Sequence, residues 1–148
     1  MKRLLACSLA FASLQLLAAS TKASELPQPK AGSWETTMQM FSDGKPLAAP
    51  RVMKTCLGTA ASAKTKREAD AYVAQNCSRN ENRKEGAKWV TERVCRLGGS
   101  TVTTRGVTEF VGTSTYKSET ESRMSPPLGG RKHTRVLLES KWQGPCKS

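Results

Sequence analysis

The chain has 148 residues, enough for one domain and short of two, and 37% of them are hydrophobic. Its 24 lysines and arginines outnumber 12 acidic residues, a net charge of +12 that favours anionic partners by field alone. No phosphate-binding glycine loop, nucleophile elbow, H-E-x-x-H or dinucleotide fingerprint occurs, so the common signatures of nucleotide, serine-hydrolase and zinc-protease chemistry are missing.

The N-terminus reads as a secretory signal. Met1-Lys2-Arg3 is a short positive segment, Leu4 to Ala19 is apolar, and Thr21-Lys22-Ala23 places small residues at −3 and −1. Cleavage is expected between Ala23 and Ser24, with a site near Ser20 as the alternative. The apolar run is shorter than the roughly 20 residues of a spanning helix and contains Ser8, Ser13 and Gln15. Leu4-Leu5-Ala6-Cys7 resembles a lipidation box, but no apolar segment precedes Cys7. Residues 24–148 are then a single exported domain with a net charge of about +9.

Export leaves four cysteines, Cys56, Cys77, Cys95 and Cys146. An even count in an oxidising compartment reads as two disulfides, with three possible connectivities. Cys77–Cys95 together with Cys56–Cys146 is the favoured pair: the first closes a hairpin, and the second ties an early strand to the C-terminal tail. A four-cysteine zinc site is the rival, but no C-x-x-C occurs. No metal and no cofactor is expected. The apolar content predicts a thin core that these cross-links reinforce.

Ser24 to Gly32 reads as an extended linker with Pro27 and Pro29. Ser33 to Phe41 alternates, with Trp34, Thr36, Met38 and Met40 on one side, and predicts a half-buried strand. Ser42-Asp43-Gly44 is a turn, Pro46 to Pro50 a loop, and Arg51 to Leu57 a second strand. One helix is predicted within Thr59 to Gln75. Thr65-Lys66-Arg67-Glu68 has capping-box spacing and Thr59 is an earlier possible cap. Its apolar face is weak, which predicts light contact with the sheet and a frayed first half.

The rest reads as β. Cys77 to Leu97 forms a hairpin about Lys84-Glu85-Gly86-Ala87, with 77/95, 79/93 and 81/91 in one register. Strands follow at Ser100 to Val111, Ser114 to Met124 and Lys132 to Trp142, separated by glycine-rich turns. The expected fold is mainly β (α+β): a curved antiparallel meander of about 6–7 strands with one helix and two disulfides.

Few residues invite chemistry. His133, the only histidine, reads as an exposed strand-end residue. Glu119 and Glu121 share a strand face with Lys117 and Arg123, the pattern of a solvated, charge-balanced face. Met38, Met40 and Met53 are soft enough for copper(I), but core packing is the simpler reading. No catalytic residue is assigned. Arg79, Arg83, Lys84 and Lys88 crowd the hairpin around Trp89, a candidate anion-binding cluster; Lys64, Lys66 and Arg67, and Arg131, Lys132 and Arg135, are further basic groups.

S-W-E-T-T at Ser33 to Thr37, T-C-L at Thr55 to Leu57 before an alanine-rich helix, the pair Cys77 and Cys95, and G-P-C at Gly144 to Cys146 form an ordered set of landmarks. In these the chain resembles the small secreted bacterial proteins grouped as domain of unknown function 3617. It departs from them at Phe41 to Pro50, which lacks methionine, and at Lys141-Trp142-Gln143, which lacks an arginine. The resemblance implies export, a bacterial envelope setting and paired cysteines, and transfers no activity.

The combined expectation is a monomeric, non-enzymatic periplasmic or secreted protein. Its partner is anionic lipid, lipopolysaccharide or another envelope polyanion, and nucleic acid is disfavoured. An inhibitor or scavenger of a foreign hydrolase, and a binder of a small lipophilic ligand in the curved sheet, are the alternatives.

Overall fold

The computed structural model describes residues 27–146. The signal segment and the Ala23/Ser24 cleavage site lie outside the described residues. In chain order the elements are β1 (Gly32–Ser42), β2 (Lys45–Pro46), β3 (Arg51–Leu57), α1 (Ala60–Asn76), β4 (Cys77–Glu85), β5 (Lys88–Leu97), β6 (Ser100–Val111), β7 (Thr115–Leu128) and β8 (Arg131–Gly144).

All eight strands belong to one antiparallel sheet in the order β2-β1-β8-β7-β6-β5-β4, with β3 beside β1. The meander expected from the short turns holds from β4 to β8. Beyond it, the first long strand pairs with the last, β1 with β8, and the early hairpin strands pack outside β1. The sheet stays open, ending at β3 on one side and β4 on the other.

α1 carries the chain between those two edges. Six inter-strand steps of about 4.8 Å would set them roughly 29 Å apart in a flat sheet, before any length along the strands is covered. A helix of 17 residues spans only about 26 Å. The connection therefore requires a strongly curled sheet, as the right-handed twist of long strands favours.

α1 starts at Thr59, whose side chain accepts from the Ser62 amide. The later box at Thr65 is not used as a cap; Thr65 sits inside the helix and donates to the Ala61 carbonyl. The helix is regular from Ala60, including the half expected to fray, and Lys66–Asp70 braces it at i,i+4. No α1 residue is buried.

The hairpin register differs from the expected one. Cys77 faces Cys95, but Arg79 faces Val94 and Glu81 faces Glu92, not Arg93 and Thr91. The cause is the turn. Glu85 pairs with Lys88 across a two-residue Gly86-Ala87 loop, and Gly86 has φ 59°, as a type II′ turn demands. That register is one residue out of step with the cysteines, and a bulge at Ser78 restores it.

The interior is as thin as the composition suggested: among the described residues, Trp34 and Val90 are the buried hydrophobic ones. Trp34 packs against Tyr116 at 5.4 Å between ring centroids, and Tyr116 against Phe110 at 5.8 Å. Buried Ser140 shares a hydrogen bond of 2.8 Å with Thr36 in the same region. The methionines are not core: Met40 and Met53 are exposed and Met38 is half-buried.

Candidate functional site

Strand register sorts the side chains by charge. Glu35, Glu81, Glu85, Glu92, Glu109, Glu119, Glu121 and Glu139, all the glutamates of the strands, fall on one face. The other face carries Trp34, Met38, Leu138, Tyr116, Phe110 and a lawn of serines and threonines. The charged face is concave and holds a trough of about 670 Å³. Its walls include Lys88, Arg105 and Lys117 with Glu109, Glu119, Glu121 and Glu139; its aliphatic patches are Val107, Leu137 and Pro50. Glu119 and Glu121 line this trough with side chains 44% and 46% exposed, and Glu119 is balanced by Arg135.

The structure divides the five candidate anion-binding residues. Arg79, Arg83 and Lys88 lie on the charged face; Lys84 and Trp89 face each other on the opposite one. Arg79 is committed to Glu81 at 2.7 Å and Glu92 at 2.8 Å. Arg83 is committed to Glu85 at 2.7 Å and Glu92 at 2.9 Å. Glu92 thus bridges two guanidiniums, and the hydrogen bond from Arg83, with the charges of both arginines, holds its carboxyl below the usual range. The hydrogen bond to Glu81 pushes Arg79 further up, and those to Glu92 and Glu85 do the same for Arg83. Two cations against three carboxylates leave no positive excess there.

Lys84 and Lys88 make no ion pair among the described residues, but a larger group of unpaired cations sits elsewhere. The turns after β1, β5 and β7 all lie at one end of the sheet, and Gly98 there approaches the Leu128 side chain. This rim carries Lys45, Arg96, Arg123, Arg131 and Lys132, all exposed. None of the five makes an ion pair among the described residues. Leu47 and Leu97, 41% and 46% exposed, lie at the same end with exposed Pro126 and Pro127. Arg131 and Lys132 stood out in the sequence, but only the hairpin topology joins them to Lys45, Arg96 and Arg123. Their companion Arg135 lies inward, bonded to Glu119.

His133 is half-buried, not exposed; its Nε2 is shielded from solvent, lacks a hydrogen-bond partner and lies 4.0 Å from Glu121 Oε2. Among the described residues no group of three or more His, Cys, Asp or Glu is arranged to hold a metal. Disulfides join Cys56 to Cys146 and Cys77 to Cys95. No helix among the described residues is long and apolar enough to cross a membrane.

The family model described as protein of unknown function (DUF3617) matches residues 29–146. No curated protein and no solved structure matches the chain.

Proposed function

The chain belongs to the DUF3617 family, whose function is unknown, and on that footing we propose an exported, non-enzymatic protein that docks on anionic lipid surfaces of the bacterial envelope through its basic rim. The observation that carries this is the set of five exposed, unpaired cations at one end of the sheet, beside exposed Leu47 and Leu97. Cations near lipid phosphates contribute about 1 kcal/mol each, and apolar tips among them favour a lipid surface over a soluble polyanion. Two disulfides suit an oxidising compartment outside the cytoplasm.

Co-sedimentation with vesicles of phosphatidylglycerol and phosphatidylcholine tests the proposal. Binding is expected to require the anionic lipid and to fall with salt. Arg131→Gln with Lys132→Gln should weaken it roughly 30-fold, from about 1 kcal/mol per charge. Arg79→Gln with Arg83→Gln should change it little, because those guanidiniums already face carboxylates. Equal retention on neutral vesicles, indifference to salt, or binding of soluble polyphosphate in place of vesicles would overturn it.

A further inference from the structure

The trough on the charged face lies apart from the rim, and its charges are unequally committed. Lys117 lies 3.8 Å from Glu139, Arg135 bonds Glu119, and Glu121 faces His133. Among the lining charges, Lys88, Arg105 and Glu109 make no ion pair among the described residues. All three line the trough from the neighbouring strands β5 and β6, with Arg105 about 13 Å along β6 from Glu109. Lys88 is the register partner of Glu109, Val107 lies between Arg105 and Glu109 on β6, and Val107 pairs with Val90, which is 1% exposed. The buried valine anchors this part of the floor, so two open cations and one open carboxylate project from a rigid base.

We propose that this end of the trough binds an amino-acid-type zwitterion, either a free amino acid or the end of a short peptide. Lys88 and Arg105 take its carboxylate, Glu109 takes its ammonium group, and the aliphatic surface of Val107 and Leu137 takes its side chain. The signs of the open charges require both groups: a simple anion leaves Glu109 opposed, and a lipophilic ligand strips water from charged walls without replacing it. A volume of about 670 Å³ lies within the range of small-molecule sites and exceeds what one amino acid fills.

Amide-resolved NMR titration of the oxidised domain with trialanine bearing free termini, its N-acetylated form, its C-amidated form, and free leucine tests the site. Free trialanine should shift the amides of Lys88, Arg105, Val107 and Glu109. Amidation should weaken binding by about 10-fold or more and acetylation by less, in line with charge-assisted hydrogen bonds. Arg105→Gln should reduce the penalty of amidation, with Lys88 still facing the carboxylate, and Glu109→Gln should abolish the penalty of acetylation. Stronger binding of free leucine than of trialanine assigns the site to free amino acids, and the reverse order to peptide ends. Arg131→Gln with Lys132→Gln, which disables the rim, should leave the titration unchanged, so that the two sites fail or stand separately. The proposal falls if no probe shifts these amides, if capping has no effect, or if Glu109→Gln merely strengthens binding of the acetylated probe by freeing Lys88.

Discussion

Trp34 and Trp142 are register partners across β1 and β8, and their indole N–H groups donate to consecutive carbonyls, Lys30 at 2.8 Å and Ala31 at 3.0 Å. The segment before β1 is thereby fastened to the sheet, with the Lys30 ammonium 3.4 Å from the Trp142 ring centroid. Gly32 makes this approach possible. Its φ is 134°, and a Cβ there would run into the Trp142 indole and the Gly144 carbonyl. Gly32→Ala should therefore cost about 2–3 kcal/mol, combining backbone strain with displacement of the ring. Urea unfolding followed by tryptophan fluorescence measures it, and a loss below about 0.5 kcal/mol would show that the indole moves freely.

The two disulfides should differ in worth. They close loops with sequence separations of 90 for Cys56–Cys146 and 18 for Cys77–Cys95. Chain-entropy reasoning assigns about 4.5 and 3 kcal/mol respectively. With Trp34 and Val90 as the buried hydrophobics, such terms are a large share of a small domain's stability. Paired alanine replacements compared by denaturant midpoint should show the Cys56/Cys146 variant as the weaker fold. The opposite order would mean that the hairpin carries structure the rest depends on.

What was readable beforehand follows from the range of each signal. Alternation such as Trp34-x-Thr36-x-Met38 is local and marks a strand whatever its neighbours do. Cys77 and Cys95 flank one turn, so their pairing needs no tertiary knowledge. The bulge at Ser78 was hidden because it follows from the choice of Gly86-Ala87 as the turn, a distinction of one residue. The anion-binding cluster on the hairpin was misleading for a related reason. Proximity in sequence placed Arg79, Arg83, Lys84, Lys88 and Trp89 together, whereas the pleat sends Lys84 and Trp89 to the other face and register delivers Glu92 to both arginines. The rim was invisible because its cations come from separate hairpin ends. The trough needs the pairing of β5 through β8 before Lys88, Arg105 and Glu109 share a surface.

Acid should weaken the fold through two carboxyls in particular. Glu92 is held low first by the hydrogen bond from Arg83, and Glu139 first by that from Lys141, with the charge of Lys117 adding. A carboxyl depressed in the folded state binds fewer protons there than in the unfolded chain, so stability rises with pH across the window between the two values. The contribution is complete above the ordinary glutamate value of about 4.3 and drains away as pH falls through the lower folded value. Glu92→Gln and Glu139→Gln should each reduce stability at neutral pH and flatten its decline in acid. Urea midpoints across a pH series read this directly. A neutral-pH loss that persists unchanged into strong acid would assign the effect to shape rather than charge.

α1 should be the least protected ordered element. It buries no residue, and its side-chain link to the sheet is a long hydrogen bond of 3.4 Å from the Tyr72 hydroxyl to the Arg96 carbonyl. Such a helix opens locally without unfolding the sheet beneath it. Its start depends on the Thr59 side chain accepting from the Ser62 amide at 3.1 Å. Thr59→Ala should cost the helix about 1 kcal/mol, seen as roughly five-fold faster hydrogen exchange confined to α1 amides. The amides of β6, β7 and β8 should keep their rates. If they accelerate in step with the helix, α1 is part of the cooperative unit and not a strap between the two open edges.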